Sequence, residues 1–68
     1  MLIHHIGEKR AALGLTQQQL ADRIGWKLRK LTSFERRERI PSVDDAIVIA
    51  NALNTTVESI WELKEETE

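Results

Sequence analysis

The sequence predicts an all-α fold, five short helices packed as a single compact domain over residues 1–68. Three observations lead there. Gly7, Gly14, Gly25 and Pro41 are the only glycines and proline, and the stretches between them show no β-type alternation. Apolar residues instead recur three or four apart. Finally, TQQQ and SVDD each place a hydroxyl three residues ahead of a side chain that can return its hydrogen bond, the signature of a capped helix start. Sixty-eight residues allow one core, near the lower size at which a domain holds without staples.

The first helix is expected over about Ile3 to Leu13, with Ile6, Arg10 and Leu13 at helical spacing and Gly14 closing it in a left-handed conformation. Thr16 caps the second, with Gln19 reaching back, and Leu20, Ala21 and Ile24 form its inner face. Gly25 stops that helix without a steric penalty. The third spans about Lys27 to Arg37. Pro41-Ser42 breaks the chain, and the fourth helix runs to about Leu53 with Val43, Ile47, Ala50 and Leu53 inward. Thr55 or Thr56 opens a fifth, TVESIWEL, which should bury Val57, Ile60 and Trp61; the acidic end, residues 64–68, should fray.

Charge is unevenly placed. Residues 1–22 balance to zero, residues 23–39 carry seven Lys/Arg against two Glu for a net +5, and residues 40–68 carry one Lys against seven acids for a net −6. The overall −1 hides a dipole. At 100° per residue, Leu31 and Phe34 mark the buried side of the third helix. Arg29, Thr32, Ser33 and Arg36 fall opposite, side chains of the kind that read base edges, and Lys27, Lys30, Arg37 and Arg39 flank them where cations meet phosphates. Glu35 lies beside the buried stripe and needs a partner, for which Arg10 is best placed. Helix, glycine turn and a second helix with a basic outer face, over about residues 16–37, make a helix-turn-helix. Such a helix fits the roughly 12 Å major groove of DNA.

With these residues in view, the chain resembles the Cro/CI-type (XRE-like) helix-turn-helix family of small phage and bacterial transcriptional regulators. The similarity covers about Ile6 to Trp61. It rests on RAALGLTQQQLADRIGW, the spaced Leu31, FER, and PSVDDAIVIANALN followed by a short helix, with Gln17, Ala21, Gly25 and Leu31 at the family's spacing. The resemblance implies a lambda-repressor-like domain that reads double-stranded DNA. By it, Gln17 and Lys27 would touch phosphates, Leu28, Arg29 and Ser33 would read bases with Thr32 close by, and the loop carrying Arg36, Arg37 and Arg39 would meet the backbone or minor groove. Arg10 and Glu35 match the family's frequent ion pair. Three residues depart from the pattern. Lys27 stands where Ser or Thr usually caps, a loss of about 1 kcal/mol; Leu28 replaces a polar reader and suits a thymine methyl or the core; Arg37 replaces a closing glycine.

The expected function is therefore sequence-specific DNA-binding regulation, repression foremost, by a homodimer on a palindromic operator joined through about Asn54–Ile60. An antitoxin or protein-interaction module with DNA binding secondary is the alternative, its contact the acidic half from Asp44 onward. An enzyme is not expected, because no nucleophile–base pair, paired-carboxylate cleft or phosphate loop stands out. Neither is a cofactor, small-molecule substrate or metal: cysteine is absent and His4-His5 reads as a solvated terminus. No apolar run approaches the ~20 residues of a membrane span, and MLIHHIGEKR lacks a signal peptide's cationic start, which makes a cytoplasmic setting the default.

Overall fold

The computed structural model describes residues 1–65; the last three residues, 66–68, lie outside the described part, together with most of the expectation that this end frays. The element order is β1 (Leu2–His4), α1 (Ile6–Ala12), α2 (Gln17–Ile24), α3 (Leu28–Glu35), α4 (Val43–Ala52), α5 (Val57–Ile60) and β2 (Trp61–Leu63). The five helices are present. The fold is not all-α, however, because the two ends of the chain form an antiparallel ribbon.

That ribbon pairs Leu2 with Leu63, Ile3 with Glu62 and His4 with Trp61. It extends through Lys64 N–H to the Met1 carbonyl at 2.8 Å and through His5 N–H to the Ile60 carbonyl at 2.9 Å. Consequently α1 begins at Ile6 rather than Ile3, and α5 stops at Ile60, with Trp61 extended at φ −110° and ψ 138°. Three residues are too few to display a period of two, and their partners lie at the far end of the chain.

The expected hydroxyl caps form, but only TQQQ closes a reciprocal box; in SVDD the Asp45 carboxylate turns to Lys30 instead. The Thr16 hydroxyl accepts from Gln19 N–H at 3.0 Å while the Gln19 carboxamide accepts from Thr16 N–H at 2.8 Å, so two of the unpaired donors of α2 are satisfied reciprocally. Ser42 accepts from Asp45 N–H and Thr56 from Ser59 N–H, starting α4 and α5. Gly25 takes φ 87° beyond the last turn of α2, where its N–H and that of Trp26 both reach the Ala21 carbonyl. A side chain there would oppose the left-handed conformation.

Ile6, Leu20, Ala21, Leu31, Phe34, Ile49, Ala50, Leu53 and Ile60 form the core, drawn from all five helices. Ala21, fully buried, allows α2 and α3 to approach closely. On α4 the inward face differs from the expected one. Ala46, Ile49, Ala50 and Leu53 are buried, whereas Val43 and Ile47 are exposed. VDDAIVIANA is apolar around most of its circumference, so periodicity does not select a face. Packing does, placing the small Ala46 and Ala50 inward. Val57 and Trp61 are only half-buried, against expectation, while Ile60 is fully buried as expected.

Candidate nucleic-acid interface

The candidate interface is built on α3. Leu31 and Phe34 are buried and fix its rotation. Lys27 precedes it in extended conformation (φ −69°, ψ 145°) and offers no side-chain cap, so the first N–H groups of α3 have no capping acceptor. Arg29 and Arg36 are exposed, Thr32 is half-buried, and Leu28 remains 37% exposed beside them. Thr32 Oγ1 donates to the Arg29 carbonyl at 3.1 Å, so its hydroxyl keeps acceptor capacity.

Ser33 differs from its expected position. It is only 8% exposed, and its hydroxyl donates to the Lys30 carbonyl at 2.7 Å. The cause lies beyond the helix. Arg37 adopts φ 65°, reversing the chain so that Arg37 N–H reaches the Phe34 carbonyl and Glu38 N–H the Ser33 carbonyl. These two bonds form a Schellman closure, with arginine where glycine would be unstrained. The returning chain brings the Arg39 guanidinium over the Phe34 ring at 5.2 Å and covers the Ser33 flank. Ser33 becomes the floor of a shallow groove walled by Lys27, Arg29, Lys30, Glu38 and Arg39.

Lys30, expected to face phosphates, stays partly exposed and is engaged by two of the protein's own side chains. Its Nζ lies 3.4 Å from Asp45 Oδ1 on α4 and 4.3 Å from the centroid of the Trp26 ring. Trp26 in turn meets Phe34 edge-to-face at 5.8 Å. This stack joins the turn before α3 to α4. Asp45 was legible only as a capping residue, since nothing local points to a partner on another helix.

At the other flank, Arg10 and Glu35 meet through two bonds, Nε to Oε2 at 3.0 Å and Nη2 to Oε1 at 3.2 Å. Arg10 Nη1 also donates to the Leu15 carbonyl at 2.9 Å. Gln17 Nε2 donates to Glu35 Oε1 at 3.2 Å, so the first residue of α2 is tied to the last turn of α3. Both ionised side chains are largely covered, and the bidentate geometry with added partners is what such a pair requires.

Of the two histidines at the start of the chain, His4 lies near Glu35 and Arg37, whereas His5 is partly exposed. His4 Nδ1 accepts from Ile6 N–H at 3.3 Å, while its Nε2 is buried without a partner among the described residues. Burial lowers the His4 pKa from its ordinary 6.5, and the Arg37 guanidinium lowers it further, against weaker opposing pulls from the Glu35 carboxylate and the backbone of Glu35 and Phe34. His5 contacts Glu8 at 2.9 Å and Glu62 at 3.5 Å, and these hydrogen bonds raise its pKa. No sequence signal linked His4 to the turn after α3.

A buried two-residue anchor, an αL glycine turn and an exposed cationic helix face define a helix-turn-helix unit. The sequence profile of the helix-turn-helix family matches residues 6–60, and the chain belongs to this family, in its Cro/CI-type branch. It is also similar to the transcriptional repressor RstR of the cryptic phage CTXphi from Vibrio cholerae serotype O1, at 31% identity over 55 residues, covering 81% of this chain and 49% of that protein. The chain thus spans about half the length of the curated relative it matches. No helix among the described residues is long and apolar enough to cross a membrane.

Proposed function

We propose that the chain is a sequence-specific double-stranded DNA-binding transcriptional regulator, a repressor, that lays α3 in the major groove. The observation that carries this reading is the rotation of α3: buried Leu31 and Phe34 leave Leu28, Arg29, Thr32 and Arg36 facing out on one side. Membership of the helix-turn-helix family and similarity to a protein named as a transcriptional repressor support it. Arg29 and Thr32 read base edges, with Leu28 against a thymine methyl. Lys27, Arg36, Arg37 and Arg39 contact phosphates, and Gln17 approaches the backbone from the start of α2. Ser33 acts beneath the surface, holding the helix end rather than a base.

One such module reads few base pairs, so the regulator works as a homodimer on a palindromic operator with half-sites about one turn, ~34 Å, apart. It acts on cytoplasmic DNA, and no enzymatic step belongs to this reading. Selection of binding sites from a random duplex pool tests it. The expected result is one enriched inverted repeat, bound less tightly as salt rises. Weak, salt-independent binding to every duplex would reject it.

A further inference from the structure

Asp45 stands in the first turn of α4, and its two polar groups are directed differently. Its backbone N–H donates to the Ser42 hydroxyl at 3.2 Å, the bond that starts the helix. Its carboxylate is free of that task and reaches α3, where Oδ1 lies 3.4 Å from Lys30 Nζ. The same ammonium sits over the Trp26 ring, 4.3 Å from the centroid.

Stability gives little reason for this pair. The Lys30 side chain is 37% exposed and that of Asp45 23%, and the contact is single and long, so water and salt screen it. Location gives a better reason. Lys30 borders the same shallow groove as Lys27, Arg29 and Arg39, on the flank of the outward face of α3. Of these four cations, only Lys30 forms an ion pair among the described residues.

We propose that Asp45 is a positioning residue that withholds Lys30 from DNA phosphates, lowering affinity for every duplex without altering base preference. An ammonium already neutralised by a carboxylate displaces no counterion from DNA, so Lys30 is silent in the salt dependence. Trp26 adds a second attraction in the same place and opposes an outward swing of the side chain. Base edges are met by Leu28, Arg29 and Thr32, which Asp45 does not touch, so its effect falls on the phosphate part of binding. The inference rests on the reading of α3 as the DNA-facing helix.

Salt titration of affinity tests it, with the operator selected from the random pool and a scrambled duplex as probes. Asp45→Asn leaves the backbone cap in place and should strengthen binding to both duplexes at low salt. Lys30 then meets a phosphate, and a fourfold rise in salt should reduce the variant's affinity about 3.5-fold more than the parent's. Asp45→Glu should keep the parent's salt dependence. So should Asp45→Asn combined with Lys30→Ala, which has no lysine to free. Asp44→Asn removes the same charge at an exposed position of the same turn and should leave the slope unchanged. Should Asp45→Asn disturb folding, as read by helical circular dichroism, Asp45→Ser carries the same expectation. An unchanged slope in the Asp45 variant of a parent that binds its operator selectively overturns the proposal and leaves the DNA reading standing. So does a steeper slope that persists without Lys30, one that Asp44→Asn reproduces, or an altered preference between the two duplexes. A parent whose binding to both duplexes is independent of salt removes both.

Discussion

Arg10 of α1 and Glu35 of α3 are joined by two parallel hydrogen bonds of 3.0 and 3.2 Å, with the Leu15 carbonyl and the Gln17 carboxamide completing their partners. The pair fixes the C-terminal end of the recognition helix to both preceding helices. Removing one member strands the other charge under cover, so Arg10→Ala or Glu35→Ala should cost about 2–4 kcal/mol. Arg10→Met with Glu35→Leu should recover most of that loss, because neither charge remains unpaired. Urea denaturation of the three variants decides. Equal destabilisation in all three would show that packing, not the unpaired charge, sets the cost.

Arg37 at φ 65° opposes stability to function. Arg37→Gly should relieve the left-handed strain and stabilise the domain by about 0.5–1 kcal/mol. If Arg37 meets a phosphate, the same change should lower the slope of log affinity against log salt by about 1. A thermal melt and a salt titration read the two effects separately, and a destabilised Arg37→Gly variant would contradict the strain argument.

Lys27 presents a similar conflict at the opposite end of α3. Its extended backbone suits a capping residue, yet its side chain makes no cap bond. Lys27→Ser should add about 0.5–1 kcal/mol by supplying the missing acceptor, while weakening all duplexes alike. The check is the unfolding midpoint beside affinities for a preferred and a scrambled site.

Arg29 and Arg36 share the exposed side of α3 but should differ in kind. Arg29→Ala should cost about 1–3 kcal/mol on the preferred site and relax base preference at one position. Arg36→Ala should reduce affinity evenly across sequences and lower the salt slope by about 1. Binding to a panel of single-base operator variants separates them, and an unchanged preference in Arg29→Ala would remove it from the reading face.

The two histidines should drive stability in opposite directions with pH. His4 has a folded pKa below 6.5, so its neutral form favours the fold: its contribution is present above 6.5 and is lost as pH falls through the folded pKa. His5 has a folded pKa above 6.5, so its contribution is present below 6.5 and is lost as pH rises through that higher value. The stability difference between the parent and His4→Gln should therefore grow as pH rises. The difference for His5→Gln should shrink. Denaturation midpoints on both sides of 6.5 measure both, and parallel trends would refute the assignment.

Much of this molecule was written locally. The capping box of Thr16 and Gln19, the αL turn at Gly25 and the 3.6-residue spacing of Leu20, Ala21, Leu31 and Phe34 are short-range signals, so the five helices and the concentration of cations on α3 follow from the sequence alone. What the sequence left open depends on contacts beyond a single helix, most of them between residues far apart in the chain. The ribbon joins strands nearly sixty residues distant, α4 turns Val43 outward because packing favours Ala46 and Ala50, and Ser33 is covered by a chain reversal that follows its helix. Lys30 likewise meets Asp45 and Trp26, partners that no local signal announced. Periodicity records which side of a helix is apolar; only the assembled core decides which neighbour covers each remaining side chain.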